Sequence, residues 1–262
     1  MGFTDDIKQL VEIIHDRYPT KDIYLTGFSL GANVVLKYLG ELSESASNYR
    51  IRGAAVTCVP FDPEACQTVI DSGFSRLVYT NNFLNTLKKK AEIQHAYHPT
   101  SFDINAVRAA TTMGEFDNAF IASIYGFKDK IDYYRQTGSK RWLRHIRVPT
   151  IAINARDDPF FDEKALPCAI NDVGDLAPVR MIYHDYGGHC GFYTQQQYMG
   201  FDRQNSSTPS IVENDDDREF KVDTNLASNN PQVEYAKVPP HGWLAEELAR
   251  ILEYFDRIPC YN

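Results

Sequence analysis

The stretch Asp22-Ile23-Tyr24-Leu25-Thr26-Gly27-Phe28-Ser29-Leu30-Gly31-Ala32-Asn33-Val34-Val35-Leu36 constrains the chain more than any other. Ile23, Tyr24 and Leu25 are strand formers directly before a turn. Beyond it, Ala32, Val35, Leu36 and Leu39 recur at helical spacing. The chain therefore passes from strand to helix at Ser29, with no room for a loop. So sharp a passage strains the Ser29 backbone and exposes its Oγ. Gly27 and Gly31 are expected to omit Cβ atoms that would clash where strand and helix cross. The helix starts at once, and its free N–H groups beside the serine favour negative charge.

Gly-x-Ser-x-Gly alone is short enough to be a chance turn serine. Set between a strand and a helix, it reads as the nucleophile elbow of an α/β-hydrolase. A serine hydroxyl is a weak nucleophile and needs a base within hydrogen-bond reach, with a carboxylate to hold that base in the right tautomer. Ser29, then Asp157 or Asp158, then His189 is the chain order of this fold. Each follows an expected strand. His189 is the best base among seven histidines, because it lies in a Gly-Gly-His-Cys-Gly loop just past a strand. His184 lies within that strand and reads as structural. Asp158-Pro159 opens a turn naturally and Phe161 follows, which favours Asp158 as the acid. In the alternative, Asp157 holds His189 and Asp158 caps the turn. The Leu30 N–H, next after the nucleophile, is the expected oxyanion donor.

At 262 residues the chain can form one large α/β domain. Its formal charge of -8 argues against nucleic acid and against docking on anionic membranes. No apolar run is long enough to span a bilayer, and no signal peptide opens the chain. Five cysteines (58, 66, 168, 190 and 260) without metal-type spacing point to reduced thiols and a cytoplasmic location. His184, Asp185, His189 and Cys190 lack a recognised ligand spacing and a second cluster, so no metal is expected. The Asn205-Ser206-Ser207 sequon reads as chance without a secretory signal.

In order, Thr4 is expected to cap a first helix with the apolar stripe Ile7, Leu10, Val11 and Ile14, ended by Tyr18-Pro19. Gly53 to Val59 reads as a buried parallel strand. Residues 64–145 are helical and aromatic-rich, the usual place for a cap over a site. Most of these aromatics are expected in the core, with a minority free to line an acyl pocket. Thr150–Ala155 and Val179–His184 are strands, with a helix signal over Asp162–Ile170 between them. Residues 196–240 are polar and acidic without periodicity and read as a mobile surface insertion with no site. Trp243, Leu244, Leu248, Ile251, Leu252 and Phe255 form one face of a closing helix that packs on the sheet.

Several stretches together resemble the YheT-like (EMB8-type) branch of the α/β-hydrolases. They are Tyr24 to Asn33 with Lys37-Tyr38-Leu39-Gly40-Glu41, Pro60-Phe61-Asp62, Glu115-Phe116-Asp117, Tyr133-Tyr134, Asn154 to Phe160, and Tyr186-Gly187-Gly188-His189-Cys190-Gly191-Phe192. The resemblance covers roughly residues 3–195 and resumes in the closing helix. It implies a mostly parallel sheet with helices on both faces, a helical cap insertion, a Ser29–Asp158–His189 triad, and acyl-ester or phospholipid-type substrates. It departs from the branch in two places. Only one helix precedes the nucleophile strand, so the early strands and a loop supplying a second oxyanion N–H are expected to be missing. The acidic insertion is also foreign to the compact pattern.

The chain thus reads as one partial α/β-hydrolase domain over residues 1–262. The expected activity is serine carboxylester hydrolysis of medium-chain or lipid-like acyl esters, with no cofactor. An acyltransferase making esters at the same site is the near alternative. A truncated, non-catalytic form is the alternative from another class.

Overall fold

The computed structural model describes residues 3–192, 211–212, 221–222, 248–253 and 255. Helix α1 spans Asp5–Arg17 and leads into strand β1, Ile23–Phe28. Helix α2, Leu30–Leu42, follows with Ser29 as the single residue between strand and helix. Strand β2 is Ile51–Thr57, and helix α3, Pro63–Ile70, opens the long connection to strand β3, Thr150–Ala155. Strand β4 is Val179–His184. The four strands pair in the order β1-β2-β3-β4, all parallel, so each carboxyl end points to the same edge of the sheet.

The period-two alternation of strands divides the core between two faces. Ala54, Val56 and Ala152 point to one face and meet Val11, Leu36 and Leu39 of α1 and α2. Ala55, Ile151, Ile153 and Ala155 point to the other and meet Phe192, Leu248 and Ile251. Residues 248–253 are helical, so helices cover both faces of a central parallel sheet, as expected. Phe255 lies so close to Gly53 that a Cβ there would fall 2.6 Å from its ring.

Every regular element between β2 and β3 is helical. This segment has its own apolar cluster of Leu84, Ala91, Phe102, Ile104, Val107, Ala110 and Phe116. Asp62, Asp103, Thr112 and Asp129 cap its helices with side-chain oxygens. Its aromatics divide: Phe116, Tyr133 and Tyr134 are buried, whereas Phe74 and Tyr125 are exposed.

Some local expectations are corrected. Thr4 makes no side-chain cap; its hydroxyl donates to Glu41 on α2 at 2.5 Å instead. Leu10 sits at the margin of the α1 stripe and is exposed, while Ile7, Val11 and Ile14 pack inward. The single helix expected over 162–170 is replaced by a 3-10 turn, Glu163–Ala165, and a π turn, Ala169–Val173. Pro167 explains the break, because it drives Leu166 into an extended conformation. Within 196–240 the described residues form an antiparallel pair, Ile211–Val212 with Lys221–Val222. The rest of that stretch, with Trp243 and Leu244, lies outside the described residues. Among the described residues no helix is long and apolar enough to cross a membrane.

Candidate active site

Each strand delivers one part of the site just past its carboxyl end, where open parallel sheets place their ligands. Ser29 follows β1, Cys58 follows β2, Asp157 and Asp158 lie three and four residues beyond Asn154 of β3, and His189 follows β4. Hydrogen bonds carry the sheet's order into these loops. The Ser29 N–H donates to Thr57 at 3.0 Å, the Cys58 N–H to Ile153 at 2.8 Å, and the Arg156 N–H to His184 at 2.8 Å. Asn154 extends the β2–β3 ladder with its side chain, accepting from the Val59 N–H and donating to the Val59 carbonyl, both at 3.1 Å.

Ser29 has φ 50° and ψ -120°, a conformation that a residue with a side chain adopts only under constraint. Gly27 leaves room for the turn, since a Cβ there would stand 2.8 Å from the Ala32 backbone. Gly31 differs from expectation: a Cβ there meets nothing within 4 Å, so the crossing depends on Gly27 alone. The N–H of Leu30 opens α2, whose first turn contains no acidic residue to offset the helix dipole.

The structure brings Ser29, Asp158 and His189 together. His189 Nε2 lies 2.9 Å from Ser29 Oγ, and its Nδ1 lies 2.8 Å from Asp158 Oδ2. The Asp158 carboxylate is closed off from solvent, and its Oδ1 accepts from the Phe160 N–H at 2.9 Å. It therefore orients the ring and closes its own turn. Asp157 does different work: its Oδ1 accepts from the N–H groups of Gly187 and Gly188, at 2.9 and 2.8 Å. It thus clamps the backbone that carries His189. That loop also needs Gly187, where a Cβ would fall 2.5 Å from the Phe192 ring. A hydroxyl, an imidazole and a buried carboxylate in this line can pass a proton from the hydroxyl to the ring while the carboxylate stabilises the imidazolium.

The walls are aromatic. The ring centroids of Phe160 and Phe161 lie 4.5 and 5.8 Å from that of His189. Tyr79 and Phe83, from the helical connection, pack against Phe160 at 4.8 and 5.9 Å. Phe28 and Leu30 flank Ser29 and are both exposed. The metal grouping weighed from sequence is not the one assembled. Among the described residues the ligand-type cluster is Cys58, His189 and Cys190, and both His189 ring nitrogens are engaged by Ser29 and Asp158. Cys58, Asp157 as a clamp, and Phe160 were not singled out by sequence reasoning. The Asp-Asp-Pro-Phe run held a usable signal for the last two; nothing local marked Cys58.

A family model described as the alpha/beta hydrolase fold matches residues 2–196. The chain is 32% identical over 195 residues to "Putative esterase YheT" of Escherichia coli (strain K12), covering 73% of this chain and 55% of that protein. It is 28% identical over 190 residues to "Phospholipase ABHD3" of Mus musculus, covering 72% of this chain and 45% of that protein. It is 29% identical over 204 residues to "Monoacylglycerol lipase" of Saccharomyces cerevisiae, covering 73% of this chain and 42% of that protein. The chain spans about half the length of the curated relatives it matches.

Proposed function

The chain belongs to the α/β-hydrolase fold family, and we propose that it is a serine carboxylester hydrolase acting through Ser29, Asp158 and His189. One observation carries the reading: a single imidazole bridges Ser29 Oγ at 2.9 Å and a buried carboxylate at 2.8 Å. Ser29 Oγ attacks the acyl carbonyl as His189 Nε2 takes its proton. The Leu30 N–H faces the developing oxyanion, helped by the positive end of α2. His189 then returns the proton to the leaving alcohol, and water releases the acyl group from Ser29 by the same steps in reverse. Asp158 keeps the proton of the resting imidazole on Nδ1 and stabilises the imidazolium.

The substrate class we infer is an acyl ester with a medium or long chain. Exposed Phe28 and Leu30 beside the nucleophile, and Phe160 with Tyr79 and Phe83 behind the histidine, offer apolar surface to such a chain. The names of the esterase and lipase relatives support the ester class. Labelling the purified chain with a fluorophosphonate probe, read by intact mass beside Ser29→Ala, tests the proposal. One adduct, absent from the variant, is the expected result. A folded chain that takes no adduct overturns it.

A further inference from the structure

Two thiols stand against the histidine of this site. Cys58 is fully buried at the end of β2, and half-buried Cys190 directly follows His189. The Cys190 N–H donates to Cys58 Sγ at 3.1 Å. The two sulfurs and a His189 ring nitrogen lie within 4.8 Å of one another. Both cysteines hold a positive φ, 52° and 64°, a conformation that persists only where the surroundings impose it. The pair is therefore built into the fold rather than left to loop motion.

We propose that Cys190 and Cys58 form an oxidisable pair that a hydroperoxide closes to a disulfide, switching off the adjacent Ser29–His189 couple; the switching-off rests on the hydrolase reading. The two thiols divide the work. The contact with Cys58 holds the Cys190 thiol below the usual thiol range, and Cys190 is the more exposed of the two. The same contact, with burial, pushes the Cys58 thiol up. Half-buried Cys190 is thus the thiol a hydroperoxide reaches first, reacting once deprotonated, and enclosed Cys58 is the resolving thiol. The Cys190 thiolate attacks one oxygen of the hydroperoxide, the O–O bond breaks, and the other oxygen leaves with a proton as water or an alcohol. Cys58 then attacks the sulfenic sulfur of Cys190, the S–O bond breaks, and the Cys58 proton leaves with the hydroxide as water. The two thiols supply the two electrons that reduce the peroxide. Bond formation draws Cys190 toward β2 and takes its neighbour His189 along, and a shift of about 1 Å suffices to spoil a catalytic alignment.

The chain is treated with hydrogen peroxide, alkylated in denaturant, digested without reductant and mapped by mass. The expected product is a linked peptide pair carrying Cys58 and Cys190, lighter by two hydrogens. Fluorophosphonate labelling of Ser29 should slow by about 10²-fold and recover with dithiothreitol. In Cys58→Ser the linked pair should be absent, Cys190 should proceed to sulfinic acid, and peroxide should cause no dithiothreitol-reversible loss of labelling. Recovery of both cysteines as alkylated thiols, under peroxide that oxidises exposed Cys168, overturns the pair. A linked pair with labelling unchanged overturns the switch. An untreated chain that takes no label sinks the hydrolase reading instead, and the peptide map still decides whether the pair oxidises.

Discussion

Asp158 Oδ2 lies 2.8 Å from Nδ1 of His189, whereas its sequence neighbour Asp157 spends its carboxylate on the backbone of Gly187 and Gly188. Two adjacent acids therefore hold one histidine by different means, and substitution separates them. Asp158→Asn preserves shape but favours the wrong imidazole tautomer, so the labelling rate at Ser29 should fall about 10⁴-fold. Asp157→Ala frees two N–H groups and loosens the loop, with an expected loss of about 10²-fold. Asp157→Asn should recover most of that loss, because an amide oxygen accepts the same two bonds. Equal losses in Asp157→Asn and Asp158→Asn would refute this division.

The backbone of Ser29 is strained. At φ 50° and ψ -120° a side chain is disfavoured and glycine is not. Ser29→Gly should therefore raise stability by about 1 kcal/mol, while Ser29→Ala keeps the strain and gains little. Both variants lose all labelling. Urea unfolding of the three chains side by side measures the difference, and equal midpoints for the glycine and alanine variants would contradict it.

The two glycines of the elbow should respond in opposite directions. Gly27→Ala drives a methyl to 2.8 Å from the Ala32 backbone, a contact that only movement of α2 can relieve. The expected cost is about 3 kcal/mol, with loss of labelling as Ser29 moves. Gly31→Ala meets nothing within 4 Å and lies in the first turn of α2. Alanine there is a better helix former, so the variant should fold with equal or greater stability, by up to about 1 kcal/mol. Thermal unfolding resolves both effects.

What the sequence made legible was periodic or local. Strands Thr150–Ala155 and Val179–His184 carry continuous apolar or alternating runs with clear borders, and both appear with the expected bounds. Strand β2 begins two residues before its expected start because Arg52 looks polar in sequence yet pairs with Asp22 across the sheet margin. The site's order Ser29, acid, His189 was readable because each residue follows a strand end. The Asp158-Pro159 turn favoured Asp158 over Asp157, but the bonds of Asp157 to Gly187 and Gly188 were not legible, since they depend on a loop some thirty positions away. Cys58 and Cys190 meet across 132 positions, and such contacts leave no periodic trace. Asn33 is similar. It looks like one more polar helix residue, yet it is fully buried and ties Thr137 and Ser139 to α2, both at 2.9 Å.

Asp117 gives the helical segment a pH dependence of its own. It accepts from the Tyr134 hydroxyl at 2.7 Å, and burial pushes its carboxyl from 3.8 up to about 6 against the downward pull of that hydrogen bond. Between those values the folded chain holds a proton that the unfolded chain has released. This group's contribution is therefore complete below the unfolded value and is lost as pH rises through the folded one. The loss amounts to about 3 kcal/mol across the window. Glu115, held low by Thr111, acts in the opposite direction, but it is common to wild type and variant and cancels in their difference. Asp117→Asn still accepts from Tyr134 and does not titrate. Its stability relative to wild type should therefore climb from pH 4 to pH 7 and then level off. Urea midpoints of both chains at three pH values measure this, and a difference that stays constant with pH would show that Asp117 ionises as freely in the folded chain as in the unfolded one.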